Sequence, residues 1–446
     1  MGGRPGTRAK GRSSLLASRL KIPNQGLSCR CGLHLSPRDC ETMREPMTRD
    51  SLASFAYSNI SLFTGAMGLD LGLELAGFET RVALESDKVV CRTIRRNRPT
   101  LPLIPEDIST VPTARILQVA HLKRGEADLV SGGLCCQPFS TAGRRQSLQD
   151  PRGALFEEFV RVVSDVRPRL FLLENVLGIL SAAVKHRPLN QRGKGFPPLA
   201  PEETPGSAVR VILKRFDSIG YKAKPYLLNS ADYGTPQIRK RVFFVGSKDG
   251  RAFEPPLPTH FENPEPGQLK WRTLSDALRG LRDETREGAR FSAKRARYLQ
   301  LVPQGGDWRD LPTRLQRGAV GKAYYSWGGR TGFCRRLSFR RPAPTLVSSP
   351  VTKASCMCHP TQTRPLTVKE YARLQEFPDE WVFEGSSGQK YLQIGNAVPV
   401  SLARAIGGAL ASALAEDSRL GFGQETAYDS SRRRQLLSAT LSKEKQ

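Results

Sequence analysis

Short apolar runs, each closed by small or charged residues, recur from about residue 57 to residue 250. Asn59-Ile60-Ser61-Leu62-Phe63 reads as a strand. It runs into Thr64-Gly65-Ala66-Met67-Gly68 and then a helical stretch from Leu69 to Ala76, ended by Gly77-Phe78. Arg81-Val82-Ala83-Leu84-Glu85 is a second strand with an acidic last residue. Asp87 to Asn97 reads as a helix, with Asp87 as N-cap and Pro99 beyond its end. Ala127-Asp128-Leu129-Val130 is a buried strand, and Leu155, Phe156, Phe159, Val160, Val163 and Val166 have the spacing of a core-facing helix. Arg169 to Val176 is another buried strand, ending in Glu174-Asn175-Val176; Pro225–Asn229 and Val242–Gly246 are two more. Val400, Ala403, Ile406, Leu410 and Leu414 form one apolar stripe of a late helix. Strands alternating with helices predict an open α/β sheet.

The pattern breaks in three places. Residues 1–55 are rich in Arg, Gly, Ser and Pro without a period and read as a disordered basic tail, with Met43 and Met47 as alternative starts near its end. Residues 249–333 replace clean βα units with proline clusters, arginine-rich helical text and Gly305-Gly306-Asp307-Trp308. Residues 417–446 form a second basic tail containing Arg432-Arg433-Arg434. Between these lie a first domain over 56–248, in which Lys185 to Pro205 is expected to be a flexible loop, and a segment over 334–416 that returns to it.

Composition adds the partner class. A net charge of +27 asks for a polyanion, most simply nucleic acid, and the arginine-rich middle shows that the tails do not carry all of it. No run of about 18 apolar residues suggests a membrane span, and no secretory signal is recognised. Nine cysteines, an odd number in a long chain, argue against a disulfide framework, and neither Cys29-Arg-Cys31 nor Cys356-Met-Cys358-His359 has the paired Cys-x-x-Cys halves of a structural zinc site. Reduced thiols and a cytoplasmic setting follow, with no metal.

Candidate chemistry gathers at the strand ends. Ser131-Gly132-Gly133-Leu134-Cys135-Cys136-Gln137-Pro138-Phe139-Ser140 puts glycines, thiols, a proline and a serine into one turn after a buried strand, where open α/β sheets place ligands. The glycine turn at Gly65 and Gly68, with Glu85 about 20 residues on, has the physics of a nucleotide cradle, although Gly-x-Gly-x-x-Gly is absent and a dinucleotide is disfavoured. Glu174 is a carboxylate at the end of a buried strand, costly there unless partnered or functional. Alternation puts Gln237, Arg239 and Arg241 on one face, before an apolar strand.

Together these stretches resemble the DNA (cytosine-5) methyltransferases over roughly residues 57 to 415, with the motifs in family order. The Cys136 loop resembles that family's Gly-Gly-Pro-Pro-Cys-Gln-(Gly/Pro)-Phe-Ser, with Leu134 and Cys135 in place of two prolines. The first turn resembles Phe-x-Gly-x-Gly-Gly, with Phe63, Gly65 and Gly68 matching, Met67 in place of a glycine and Ser61 where Asp is common. Glu174-Asn175-Val176, Gln237-x-Arg239-x-Arg241 and Gln393-Ile394-Gly395-Asn396-Ala397-Val398-Pro399 also match. The resemblance implies a Rossmann-like S-adenosylmethionine-dependent methyltransferase domain, with a mixed, mostly parallel sheet and helices on both faces, plus a smaller target-recognition domain over 249–333. It implies Cys136 as nucleophile, Glu174 at the cytosine N3 edge, and Arg239 and Arg241 orienting both. Phe63, Gly65, Gly68, Glu85, Asp107 and Asn396 would bind S-adenosylmethionine, with Glu85 on the ribose and Asp107 near the adenine. Gln137, Ser140, Asn175 and Gln237 would support the substrate and its loop, and the late helix would pack beside the first cofactor motif. The partner implied is double-stranded DNA, either beside a cognate restriction endonuclease acting on the same site or as a solitary methylase; one copy of each motif suits a monomer. Two other readings stay open at this point: cytosine methylation of RNA, and a non-catalytic DNA-binding relative.

Overall fold

Alternation along the first strand decides the layers of this protein. In β1 (Tyr57–Leu62), Ile60 and Leu62 enter one apolar cluster while Tyr57 packs into another on the opposite face. The computed structural model describes residues 55–134, 153–188, 191–250, 253–325 and 331–420. After β1 come α1 (Gly68–Glu74), β2 (Phe78–Leu84), α2 (Lys88–Asn97), β3 (Leu103–Ile104), α3 (Thr113–Ala120), β4 (Leu129–Gly133), α4 (Gly153–Val166) and β5 (Leu170–Val176). Then follow α5 (Ser207–Ser218), β6 (Lys222–Asn229), β7 (Gln237–Ile238), β8 (Lys240–Ser247), β9 (His260–Phe261) and β10 (Leu269–Lys270). The chain continues through α6 (Leu274–Leu278), α7 (Ala293–Gln300), α8 (Thr313–Val320), β11 (Ala343–Pro344), α9 (Val368–Leu374), α10 (Ser387–Asn396) and α11 (Val400–Leu420).

Among the described residues, seven strands form the main sheet in the order β3-β2-β1-β4-β5-β8-β6. The first five pair in parallel, and β8 runs antiparallel to both β5 and β6. On one face Ile60, Leu62, Val130, Phe171 and Phe244 meet Phe156, Phe159 and Val163 of α4 and Ile212 and Phe216 of α5. On the other, Phe78, Leu129, Leu172 and Phe243 meet Leu69 and Leu73 of α1 and Leu402, Ile406, Leu410 and Leu414 of α11. The sheet is therefore covered on both faces, which is why its central strands read as continuous apolar runs. The expected α/β fold is present, and the apolar stripe of the late helix packs against α1 as anticipated.

One local expectation, the Asp87 cap, holds, and others change. Asp87 caps α2, accepting from the backbone N–H of Val89 at 2.7 Å and of Val90 at 3.2 Å. Gly132 and Gly133 do not turn the chain; they lie in β4 and make room. A Cβ on Gly132 would sit 3.2 Å from the Phe159 ring, and one on Gly133 would sit 3.3 Å from Glu174 Oε2. The segment 185–205, expected to be flexible, is tied by Arg187, which bonds Glu203 Oε1 at 3.0 Å and Pro197 O at 2.6 Å. Ser387–Glu416, spanning α10 and α11, is long and apolar enough by composition to cross a membrane, but 61% of its most apolar window is buried inside the fold.

Residues from Leu274 onward build two further clusters. In one, Met67 and Leu71 meet Leu346, Leu366, Tyr371, Ile394 and Val400. In the other, Leu299, Trp308, Val320 and Phe333 surround the buried free thiols Cys334, Cys356 and Cys358. Arg336 joins α7 to the returning chain: its buried guanidinium donates to the carbonyls of Leu299 at 2.5 Å, Val302 at 2.8 Å and His359 at 3.0 Å.

The α1–α11 contact gives a direct test. A Cβ on Gly72 would collide with Ala403 and the backbone of Val400, whereas Gly408 of α11 has open space around it. Gly72→Val is expected to destabilise the protein by about 1–3 kcal/mol through overpacking. Gly408→Ala is expected to stabilise it by roughly 0.5–1 kcal/mol through helix propensity. Urea midpoints at unchanged slope measure both.

Candidate active site

Strand order locates the site. The chain leaves β1 toward β2 and β3 on one side, while β4 and β5 lie on the other, so the carboxyl ends of β1 and β4 open a crevice. The turn after β1 holds three residues with left-handed backbone: Phe63 at φ 54°, Gly65 at φ 58° and Met67 at φ 70°. The strain at Met67, where the resemblance expects glycine, is offset by complete burial of its side chain in the core. Gly68 must be small, because a Cβ there would strike the backbone of Val398 and the side chain of Ala397.

Glu85, just past β2, holds this turn. Its Oε2 accepts from Gly65 N at 2.9 Å and its Oε1 from Asp87 N at 2.8 Å. Burial raises its pKa above the ordinary carboxylate range, and those backbone donors oppose the rise. Asp107 is exposed and caps a short 3-10 turn, accepting from Ser109 Oγ at 2.7 Å and Ser109 N at 2.9 Å, which lowers its pKa. Asn396 is exposed at the end of α10.

Glu174 lies at the end of β5, opposite Gly133 of β4 and only 4% exposed. Arg241 Nε pairs with its Oε1 at 2.8 Å. Burial pushes the Glu174 carboxyl up, while Arg241 and then Arg239 pull it down; the net direction is up. It is not a helix cap, since Val176 occupies that position for the following 3-10 turn. Arg239 is 1% exposed and donates to Leu346 O at 2.9 Å and Gly395 O at 2.7 Å. Gln237 bonds Gln375 Oε1 at 2.9 Å and accepts from Leu346 N at 2.9 Å. Gln375 in turn donates to Ile394 O at 2.7 Å and Ala397 O at 3.0 Å. As alternation required, Gln237, Arg239 and Arg241 are buried while Ile238 and Lys240 are exposed. Arg241 does not sit on a basic edge strand, because β8 lies between β5 and β6.

One cleft of about 940 Å3 is lined by Phe63, Gly65, Gly68, Glu85, Asp107, Glu174, Arg239, Arg241 and Asn396. Asn175 and Gln237 do not line it; the Asn175 amide oxygen accepts from Val176 N at 2.8 Å, and Gln237 braces the scaffold. Cys136, Gln137 and Ser140 lie outside the described residues. Leu134, two positions before Cys136, lines the cleft. Sequence reasoning missed Gln375 and Asp70. Gln375, the residue just past α9, carried no signal of this role. Asp70 did carry one: an acid between Leu69 and Leu71 in a helix whose neighbours are buried.

Known proteins resemble this chain in sequence and in fold. A model of the C-5 cytosine-specific DNA methylase family matches residues 57–412. The chain is 39% identical over 381 residues to the Type II methyltransferase M.PspPI of Psychrobacter sp. (strain TA137), covering 83% of this chain and 81% of that protein. It is 37% identical over 366 residues to the Type II methyltransferase M.Eco47II of Escherichia coli, covering 80% and 79%. A crystal structure described as a DNA modification methyltransferase encoded within an E. coli prophage superposes with a TM-score of 0.55 at 25% identity, covering 81% of this chain and all of that one.

Removing one partner of the buried Glu174–Arg241 pair strands the other charge. Arg241→Ala is expected to cost about 3 kcal/mol of unfolding free energy, and adding Glu174→Gln should return part of it. A denaturant double-mutant cycle measures the coupling.

Proposed function

This chain belongs to the C-5 cytosine-specific DNA methylase family, and we propose that it methylates C5 of a flipped-out cytosine within a specific duplex DNA site through a covalent Cys136–C6 adduct. The observation that carries the reading is the meeting, in one cleft, of the Gly65–Glu85 turn with Glu174 and its arginines, at the point where the chain approaches Cys136.

The residues present fit S-adenosylmethionine. The turn at Gly65 leaves room for a ligand close to backbone, and Glu85, Asp107 and Asn396 offer polar groups around it. When bound, that cofactor supplies an electrophilic methyl group.

Cytosine C5 is a poor nucleophile by itself. Addition of the Cys136 thiolate to C6 makes C5 enamine-like, so the thiol must first lose its proton. Glu174 stabilises that addition at N3. Burial keeps its carboxyl easier to protonate than a surface glutamate, so it can share a proton with the ring nitrogen as negative charge develops there. Arg241 holds one carboxylate oxygen and so fixes the direction of the other. After C5 gains its methyl group, loss of the C5 proton to a base and departure of the Cys136 thiolate restore the ring. C6 is shielded inside a duplex, so the base leaves the stack at a cost of a few kcal/mol, returned by pocket and phosphate contacts.

Residues 249–333 act as the target-recognition region, with arginine, lysine and amide side chains reading bases in the major groove. Double-stranded DNA accounts for the net charge of +27. A restriction endonuclease acting on the same site is the companion suggested by the Type II methyltransferases that this chain resembles. The enzyme works as a monomer in the cytoplasm, at the nucleoid.

Labelled methyl from S-adenosylmethionine should appear as 5-methylcytosine in unmethylated duplex DNA and not in tRNA; label in tRNA alone would change the substrate. Cys136→Ala should abolish transfer while Cys135→Ala keeps most of it, and the reverse result would move the nucleophile. Glu174→Gln should slow turnover by about 10²–10⁴-fold with the fold retained by circular dichroism.

A further inference from the structure

Asp70 lies in the first turn of α1, 1% exposed, and lines the cleft together with Ser61. Among the described residues, neither carboxylate oxygen has a full hydrogen-bond partner. The Ser61 hydroxyl, itself 3.0 Å from Thr64 Oγ1, is its main stabilising neighbour. The other charged groups that act on Asp70 are Glu74 on the same helix and Arg98 beyond α2. Arg98 is already committed to Glu74 by an ion pair. Burial pushes the Asp70 carboxyl up to about 7.

A buried carboxylate without a counter-ion is costly, and a cleft wall is the place where a ligand can supply one. The ligand end that belongs here is cationic. Glu85 and Asp107 line the same cleft where the adenosine end is expected, which leaves the amino-acid end for the floor formed by Asp70 and Ser61. Ser61 also stands at the position where the resemblance finds Asp common. We propose that Asp70 is a cofactor-positioning residue, whose carboxylate is the counter-ion of the methionyl ammonium group and is supplied from α1 in place of one on β1. This rests on the S-adenosylmethionine reading of the cleft.

The test is calorimetric titration of the full chain at pH 8 with two compounds: S-adenosylhomocysteine, which keeps the ammonium group, and 5′-methylthioadenosine, which lacks the whole amino-acid end. Asp70→Asn should weaken the first at least about tenfold and leave the second within about twofold. Equal weakening of both, or of neither, overturns the proposal. Without ligand, the folded carboxyl has its pKa near 7 against an ordinary 3.8, so the native state loses stability as pH rises from 4 through 7. Asp70→Asn escapes that loss and should melt higher than wild type at pH 8; a lower melting temperature there would mark Asp70 as structural and overturn the proposal. If the variant does not fold, wild type still decides. Its preference for S-adenosylhomocysteine over 5′-methylthioadenosine should fall as pH drops from 8 to 6 and Asp70 takes up a proton, and a flat ratio overturns the proposal. Wild type that binds neither compound removes the cofactor reading and this proposal with it; wild type that binds both, with no discrimination by Asp70→Asn, removes this proposal alone.

Discussion

Five residues from β7 into β8, Gln237 to Arg241, hold the parts of the site together. Arg241 pairs with Glu174 on β5. Arg239 clamps Leu346 and Gly395, which are more than a hundred residues further along the chain. Gln237 bonds Gln375, which closes on the end of α10. Each bond lies in a buried, low-dielectric setting, where a missing partner costs more than the bond itself contributes. The alternation of β structure makes this possible, since every second residue faces the returning chain. Gln237 and Arg239 thus act on the cleft through the backbone they brace.

The crevice itself follows from close approach. Gly132 and Gly133 leave space for Phe159 and Glu174, and Gly68 lets the first turn meet Val398. Gly65 instead supplies a left-handed turn whose N–H points at Glu85. Small residues thus do two jobs here, and only one of them is conformational.

Electrostatics divide the protein in two. The chain carries +27 overall, while three cleft carboxyls, Asp70, Glu85 and Glu174, are pushed upward by burial. In the proposed function a basic exterior meets a polyanion, and an acidic interior receives a cationic cofactor. Burial insulates one from the other, because charges in the cleft are screened little by salt while those outside are screened strongly.

The fold class and most of the cleft were legible in the chain. Apolar period places strands and helices, and Glu85 and Glu174, the acids of the proposed site, announce themselves at the ends of apolar runs, where solvation physics makes an idle carboxylate expensive. Alternation alone places Gln237, Arg239 and Arg241 on one face. What alternation could not supply is distance. Nothing local says that β8 lies inside the sheet, that Arg239 reaches Gly395, that Gln375 serves Gln237, or that Gly133 is small because Glu174 sits beside it. Those facts depend on which strands become neighbours, a choice made by packing both faces of the sheet at once. Sequence by itself determined the fold class and the stretches where chemistry is expected; the tertiary structure decided which residues face the cleft, Asp70 among them, and which brace it, because contacts between residues far apart in the chain arise only when the layers close.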